Sequence, residues 1–205
     1  MRKTEKQKIV IYGGMFDPPH RGHFALMKAA LAEISPSALY IVPGFRSPFK
    51  GPPLASFRDR AVMLKDGLRL SGLGGDARVR IDPYEAGRGR LTYTWRTVAF
   101  FRKKHPGAEL YFLLGSDCLG TFLRWKNYRR IISSARLLVG VRAGAPFLAP
   151  PGLPYIRLRG RFPEAASTEL KAGLFSGLRC FGLLASTSEY IESRGLYLTG
   201  LRRAL

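Results

Sequence analysis

Residues 9–23 read IVIYGGMFDPPHRGH, an apolar run that passes directly into glycines, prolines and two histidines. The run at 9–12 is typical of a buried strand, and Gly13 and Gly14 end it. After this stretch, apolar residues recur at helical spacing over 27–34 and predict one face of a helix. The histidines are therefore expected between a strand and a helix, at the carboxyl edge of a sheet.

The same alternation of apolar runs and amphipathic stretches continues along the chain. Further strands are predicted at 39–42, 79–81, 110–114, 137–141 and about 155–158, and helices at about 56–70 and 94–104. Ser56 is the predicted N-cap of the first of these helices. Continuously apolar strands that alternate with helices indicate a doubly wound, mostly parallel sheet. We therefore expect an α/β fold in a single domain over 1–205, with a helical C-terminal segment from about 165.

The composition excludes several classes of protein. The chain has 205 residues, 46% of them hydrophobic and 23% charged, which is ordinary globular usage and argues against disorder. No stretch approaches the roughly 20 apolar residues of a membrane span, and no secretory pattern follows the basic N-terminus. The two cysteines, Cys118 and Cys180, have neither metal nor redox spacing. A cytoplasmic protein with no membrane partner is expected.

The charge of the chain is strongly positive. Lys and Arg total 34 against 14 Asp and Glu, a formal net charge of +20. Such a surface attracts polyanions, including nucleic acids and nucleotide phosphates, but a solvated basic face explains it equally well. The charge alone therefore names no partner.

The histidines are the most informative polar residues. The chain has three, and His20 and His23 lie together at the predicted start of a helix. Helix N–H groups and the helix dipole favour an anion there, and Gly13 and Gly14 let the backbone approach it closely. Two imidazoles could then stabilise a phosphate whose negative charge grows in a transition state. A metal site that includes Asp17, or a merely structural turn, are the alternatives.

The segment 13–23 resembles the GxFDPxHxGH signature of the nucleotidyltransferase superfamily. Later segments are similar to motifs of the bacterial nicotinate-nucleotide adenylyltransferases within it. They are LTYTWRT at 91–97 with Glu85 before it, LGSDCL at 114–119, Trp125-Lys126, VRAG at 141–144, AASTELK at 165–171 and YIESRGLY at 190–197. Since the matches run in order over 9–197, the resemblance identifies the chain as a member of that family, with its Rossmann-like nucleotidyltransferase fold.

The resemblance implies a reaction and its substrates. The phosphate of nicotinate mononucleotide would attack the α-phosphorus of ATP, releasing pyrophosphate and forming nicotinate adenine dinucleotide in NAD biosynthesis. The nucleophile is already an anion, so positioning and charge neutralisation by basic groups and Mg²⁺ would carry catalysis. The Mg²⁺ would be held mainly through the ATP phosphates, and no metal ligand of the protein is assigned.

The resemblance also implies roles for individual residues. His20 and His23 would be catalytic, stabilising the α-phosphate and the leaving pyrophosphate. ATP would be bound by Gly13, Gly14, Met15, Phe16, His20, His23, Gly115, Asp117, Ser167, Thr168 and Lys171. Nicotinate mononucleotide would be bound by Lys50, Thr92, Tyr93, Thr94, Trp125 and Arg142. Without the resemblance, these later residues have ordinary alternatives as helix caps, a packed tryptophan and solvated surface charges.

Two features complicate the comparison with the family pattern. Residues 186–187 offer a second Ser-Thr pair, but that registration would leave no room for the terminal YIESRGLY segment, so 167–168 is preferred. The chain departs from the pattern at Gly44, Phe49, Ala166 and Lys171. The first two departures lie on the mononucleotide side, which leaves the choice of acceptor open.

Other functions are weighed against this one. An adenylyltransferase acting on nicotinamide mononucleotide or phosphopantetheine is the alternative within the superfamily, and segments 92–94 and 125–126 argue against phosphopantetheine. From a different class, a noncatalytic module could use the +20 charge to bind nucleic acid, although the intact histidine pair argues against it. The sequence leaves open whether the chain forms a homo-oligomer.

Overall fold

The computed structural model describes residues 6–49, 51–141, 147, 149–160, 162–163 and 165–197. Its centre is a six-stranded sheet in which every neighbouring pair is parallel. The strands are β1 (Lys8–Gly14), β2 (Ala38–Pro43), β3 (Val79–Ile81), β4 (Glu109–Gly115), β5 (Arg136–Gly140) and β6 (Ile156–Arg157), in the order β3-β2-β1-β4-β5-β6. The predicted α/β fold with a doubly wound parallel sheet is confirmed.

In the described ranges, helices connect the first five strands, and two more helices come after the last strand in the sequence. In the described ranges they are α1 (Arg21–Ile34), α2 (Phe57–Leu70), α3 (Thr94–Lys104), α4 (Ser116–Leu119), α5 (Tyr128–Ser134), α6 (Ser167–Phe175) and α7 (Ala185–Ser193), with 3₁₀ turns at Ala86–Arg88 and Phe122–Arg124. Ser56 caps α2 as predicted, since its hydroxyl accepts a hydrogen bond from the Asp59 N–H at 3.1 Å. Helices α4 and α5 are additional to the predicted elements, because segments this short carry little periodicity.

The strands are buried on both faces, which explains their continuously apolar sequence. In β1, Ile9 and Ile11 belong to one hydrophobic cluster, and Val10 and Tyr12 belong to another. Successive side chains of a strand point to opposite faces, so a strand covered on both sides needs apolar residues throughout. Helix α3 packs in the first cluster and α1 in the second.

The C-terminal helices pack against residues that follow β2. A third hydrophobic cluster joins Leu170 of α6 and Ile191 of α7 to Ala55 and to Met63 of α2. Tyr197 belongs to the same cluster. The predicted helical C-terminal segment is therefore confirmed, and it packs on the loop that leads into α2. Among the helices of the described ranges, none has the length and apolar character that a membrane crossing requires.

Gly67→Ala is expected to lower the free energy of unfolding by about 1 to 2 kcal/mol. An added Cβ at Gly67 on α2 would lie 2.2 Å from Cζ of Phe24 on α1, and Phe24 is buried. Overpacking outweighs the roughly 1 kcal/mol by which alanine favours a helix over glycine. Gly120→Ala is the control, since a Cβ at Gly120 meets nothing within 4 Å. Equal urea midpoints for the two variants would contradict the expected clash.

Candidate active site

A cavity of about 850 Å³ opens at the carboxyl ends of the central strands. Strands β1 and β4 are neighbours there, with β2 and β3 beyond β1 and with β5 and β6 beyond β4. The chain connections therefore leave the sheet in opposite directions from this point. Such a switch point is where doubly wound sheets bind ligands, and the volume is in the range of small-molecule sites.

The structure brings together all of the sequence-predicted site residues that it describes. Those lining the cavity are Gly13, Gly14, Met15, Phe16, His20, His23, Thr92, Tyr93, Thr94, Gly115, Asp117, Trp125, Ser167, Thr168 and Lys171. Lys50 and Arg142 lie outside the described residues. Ser167 and Thr168 begin α6 at the cavity, whereas Thr187 is buried within α7, which agrees with the preferred registration.

The two histidines form a stacked pair at the start of α1. Their ring centroids are 3.6 Å apart, their planes differ by 28°, and His20 is buried. The backbone N–H of His20 donates to Nδ1 of His23 at 3.1 Å. Because Nδ1 accepts, the proton of the neutral His23 ring is on Nε2, which makes Nε2 a donor. The pair therefore caps α1 and supplies an imidazole donor beside the cavity.

The loop before the histidines is shaped by Phe16. This residue has a φ of 49°, in the left-handed region, and its side chain is buried. Its ring centroid lies 4.9 Å from that of His23 and 5.3 Å from that of Tyr12. A Cβ on Gly14 would come within 3.1 Å of the Phe16 ring, so the loop needs glycine there. The Phe16 ring supports His23, and at this residue only the loop backbone is available to a ligand.

Asp17 is the centre of a buried hydrogen-bond network. Its Oδ1 accepts from the Tyr197 hydroxyl at 2.6 Å and from the Ala55 N–H at 3.1 Å. Its Oδ2 accepts from the Leu54 N–H at 3.0 Å and from Lys171 Nζ at 3.3 Å. Burial alone would raise the pKa of Asp17, but these hydrogen bonds, that from Tyr197 first, and the Lys171 charge together hold it below its usual value. The Asp17 carboxylate therefore links the signature loop, the segment between β1 and α1 that carries the family motif, to Lys171 and Tyr197 of the C-terminal segment.

Arg60 stabilises the same loop through hydrogen bonds to backbone carbonyl oxygens. Its guanidinium is fully buried and donates to the backbone carbonyl oxygens of Met15 at 2.6 Å and Ala55 at 3.2 Å. Burial lowers the pKa of Arg60, and the nearby charge of Asp17 partly opposes this lowering. The arginine thus holds backbone carbonyls in place.

The residues at the start of α6 already contact the signature loop. The Ser167 hydroxyl donates to the carbonyl oxygen of Pro18 at 3.1 Å, and Lys171 forms its ion pair with Asp17. The Lys171 side chain keeps 23% of its surface exposed. Because a lysine stem is flexible, its ammonium can turn from Asp17 to an anion in the cavity.

Trp125 and segment 92–94 form another wall of the cavity. The Trp125 ring lies 5.2 Å from that of Phe122, between centroids, and its buried indole N–H has no hydrogen-bond partner among the described residues. The Lys126 ammonium lies 4.7 Å from the centroid of the Tyr93 ring, so the two segments contact each other. An aromatic face beside the N-terminus of α3 suits a flat ligand that carries negative charge.

Asp117 lies at the end of β4, in the first turn of α4. A Cβ on Gly115 would lie only 2.5 Å from Oδ1 of Asp117. The carboxylate therefore folds back over the strand end, and glycine at 115 leaves it the space to do so. This geometry places an acceptor oxygen at the edge of the cavity that both residues line.

Glu85 is a second carboxyl in the cavity wall, half-buried there, and it was not among the predicted site residues. Its Oε1 accepts a hydrogen bond from the Thr97 hydroxyl at 2.5 Å. Burial raises the pKa of Glu85 to about 7, and the Thr97 hydrogen bond opposes part of that rise. In the sequence, Asp17 and Glu85 differ from other carboxylates only by their place in motifs.

The side chains that the structure describes do not form a site for a resident metal. Within the described ranges, no group of three or more His, Cys, Asp and Glu side chains could hold a metal ion. Asp17, the carboxylate closest in sequence to the histidines, already accepts from Tyr197, Ala55, Leu54 and Lys171.

The chain is similar to a known protein family and to curated relatives. The family model described as cytidylyltransferase-like matches residues 11–173. A probable nicotinate-nucleotide adenylyltransferase of a Nitratiruptor species is 37% identical over 164 residues, which cover 80% of this chain and 87% of that protein. Another, from Gemmatimonas aurantiaca, is 32% identical over 199 residues, covering 93% and 92% of the two chains.

Solved structures agree on the fold. Nicotinic acid mononucleotide adenylyltransferase of Plasmodium falciparum, complexed with NaAD, superposes with a TM-score of 0.77 at 19% identity, covering 93% of this chain and 97% of that one. The same enzyme complexed with APC gives a TM-score of 0.75. At this identity the likeness concerns the fold.

Proposed function

The chain belongs to the cytidylyltransferase-like family and, within it, to the nicotinate-nucleotide adenylyltransferases, and from this membership we infer its reaction. It is an enzyme of NAD biosynthesis that joins ATP and nicotinate mononucleotide into nicotinate adenine dinucleotide and pyrophosphate. The observation that carries this conclusion is the convergence of the described family motifs, spread over the sequence, on one cavity at the switch point of the sheet.

The reaction needs little covalent chemistry from the protein. A phosphate oxygen of the mononucleotide forms a bond to the α-phosphorus of ATP, and the bond from that phosphorus to the bridging oxygen breaks. Pyrophosphate leaves with the electron pair. Because the nucleophile is already an anion, no protein base is required, and catalysis depends on in-line positioning and neutralisation of charge.

We assign that neutralisation to the histidine pair. The Nε2–H of His23 is a donor fixed in direction by the hydrogen bond that its Nδ1 accepts from His20. The stacked ring of His20 lies beside it, at the N-terminus of α1, where helix N–H groups also favour phosphate oxygens. Donors held in place before the reaction stabilise developing charge without reorganisation.

The other ATP contacts follow from the cavity wall. We propose that the backbone of segment 13–16 and Gly115 approach the nucleotide, with Asp117 accepting from a ribose hydroxyl. Ser167 and Thr168 would donate from the start of α6, and Lys171 would turn from Asp17 to the triphosphate. Asp17 would keep its hydrogen bonds from Tyr197 and two backbone amides during this exchange.

On the acceptor side, we propose that the Trp125 ring stacks on the pyridine and that segment 92–94 donates to its carboxylate. Lys50 and Arg142 stay proposed ligands of the mononucleotide phosphate. Mg²⁺ would be held by ATP phosphates and water, since the described side chains do not cluster around a metal. A cytoplasmic location, with small molecules rather than nucleic acid as partners, is part of the same proposal.

The function is tested by pyrophosphate release from the purified protein with ATP and Mg²⁺. Nicotinate and nicotinamide mononucleotides are supplied in parallel, and faster turnover is expected with nicotinate mononucleotide. Comparable turnover with both would show that the departures at Gly44 and Phe49 relax acceptor choice. No turnover with either, from a folded protein that binds ATP, would refute the assigned acceptor class.

Trp125→Ala is expected to raise the KM for nicotinate mononucleotide about fivefold, because a stacked aromatic pair is worth roughly 1 kcal/mol. The KM for ATP should stay within about twofold, and Trp125→Phe should keep most of the affinity. Trp95→Ala is the matched control, since that ring lies against the guanidiniums of Arg96 and Arg130 at 5.0 and 5.4 Å. Steady-state kinetics with each substrate varied in turn give both KM values. An equal rise in both would show that Trp125 is merely a packing residue.

A further inference from the structure

Glu85 occupies a place in the cavity wall that the reaction described above leaves unused. It precedes the Ala86–Arg88 turn, and one carboxylate oxygen, Oε1, is anchored by the Thr97 hydroxyl at 2.5 Å. The other oxygen, Oε2, lies 3.4 Å from the position that a Cβ on Gly44 would take. The same position lies 2.9 Å from Sδ of Met15, so the glycine leaves room there for both the Met15 and the Glu85 side chains, and all three residues line the cavity.

The position of Glu85 connects it to the proposed acceptor side. Thr97, which anchors it, is in the first turn of α3, the helix that begins at Thr94. Tyr93, immediately before that helix, contacts Lys126, the neighbour of Trp125. Glu85 is thus anchored on the helix that directly follows the segment proposed to hold the pyridine carboxylate.

Several charged groups on the surrounding elements have contacts of their own. Asp82, before the turn, pairs with Lys104, and Arg88 lies 5.4 Å from the centroid of the Tyr84 ring. On α3, Arg96 lies 5.0 Å from the centroid of the Trp95 ring. Arg46, Asp117, Arg124, Lys126 and Lys171 line the same cavity, as does the histidine pair. The ionisation of Glu85 is governed by its burial and by the hydrogen bond from Thr97.

We propose that Glu85 is a specificity-determining residue, which accepts a carboxylate-bearing mononucleotide when its own carboxyl is neutral and disfavours it when ionised. This proposal rests on the adenylyltransferase function proposed above. A neutral carboxyl can donate a hydrogen bond to a carboxylate, whereas two carboxylates in one buried site repel each other. The amide of nicotinamide mononucleotide carries no charge and escapes this repulsion. The acceptor preference therefore depends on pH.

The direction of the pH effect follows from the pKa of about 7 that burial gives Glu85. Below that pH the carboxyl is neutral and nicotinate mononucleotide is favoured, and the preference falls as the pH rises through 7. Ionisations of ATP and of the mononucleotide phosphate are common to both acceptors and cancel in the ratio of the two kcat/KM values. Comparison of this ratio with that of Glu85→Gln isolates the contribution of Glu85.

The test measures that ratio, nicotinate over nicotinamide mononucleotide, from about pH 6 to about pH 8.5. In the unaltered protein it should fall about tenfold, and in Glu85→Gln it should be flat, since glutamine cannot ionise. Glu189→Gln removes an exposed carboxylate on α7 and should keep the pH dependence. If nicotinamide mononucleotide turns over too slowly, its Ki as a competitor of nicotinate mononucleotide replaces its kcat/KM.

Thr97→Val provides a second variant that keeps the carboxyl. It removes the hydrogen bond that lowers the pKa of Glu85, so the fall in the ratio should move to higher pH. A flat ratio in the unaltered protein, or an unchanged pH dependence in Glu85→Gln, would overturn the proposal while leaving the adenylyltransferase function intact. Absence of turnover with both acceptors would overturn the two together.

Discussion

His23→Asn is expected to lower kcat about 10²- to 10³-fold, the effect of removing one fixed donor to a developing oxyanion. The side-chain oxygen of asparagine can take the place of Nδ1 and accept the His20 N–H, which donates to His23 at 3.1 Å. The helix cap is then kept, while the Nε2–H donor is lost. The free energy of unfolding should consequently stay within about 1 kcal/mol of the unaltered value.

His23→Gln makes the complementary change, since its amide reaches toward the Nε2 position and cannot replace Nδ1. We expect it to retain more activity and lose more stability than His23→Asn. His105→Ala is the control, because His105 contacts the Tyr40 hydroxyl at 3.1 Å and does not line the cavity. Pyrophosphate release gives kcat, and isothermal titration with ATP shows that binding survives. Near-normal kcat in His23→Asn would assign His23 to the cap alone.

Asp17→Asn is expected to lower the free energy of unfolding by about 3 kcal/mol, which corresponds to a fall of roughly 6 to 12 °C in Tm. Asparagine offers one acceptor oxygen where the carboxylate accepts from Tyr197, Lys171 and two backbone amides. Buried donors that lose their partner retain the full cost of desolvation. Activity should fall as well, because the same carboxylate ties the histidine-bearing loop to the C-terminal segment.

The loss of unfolding free energy in Asp17→Asn should depend on pH in a defined direction. The folded protein holds the pKa of Asp17 below its ordinary value of 3.8, so ionisation stabilises the fold above that pH. This contribution is lost as the pH falls through the lowered pKa. The difference in unfolding free energy between the unaltered protein and Asp17→Asn should therefore be full at neutral pH and shrink in acid. Urea unfolding at several pH values measures it.

Two further variants test the network: one removes a single hydrogen bond from it, and the other is a control outside it. Tyr197→Phe removes one hydrogen bond to the carboxylate and should cost about half as much as Asp17→Asn. Asp66→Asn is the matched control, since Asp66 is on the surface of α2 with its Oδ1 3.7 Å from Arg69, and it should change stability by less than about 0.5 kcal/mol. An Asp17→Asn variant as stable as this control would show that the network contributes no net stability.

Much of the fold could be predicted because its signals are local. The continuous apolar runs at 9–12, 39–42 and 110–114 indicate strands buried on both faces, and such strands form here. Ser56 could be predicted as a cap because its partner, Asp59, is three residues away. The short helices between β4 and β5 escaped prediction, since their few residues show no clear period.

For the site, the sequence by itself determined the signature loop, the histidine pair and the order of motifs, because neighbouring residues and their spacing carry that information. Tertiary structure alone decided which distant groups meet. The Tyr197 hydroxyl reaches Asp17 across 180 positions and Lys171 reaches it across 154. It also decided that Glu85 is half-buried beside Gly44, where desolvation brings its pKa to about 7. Pairing and ionisation depend on burial among groups far apart in the chain, and no local pattern of residues encodes that burial.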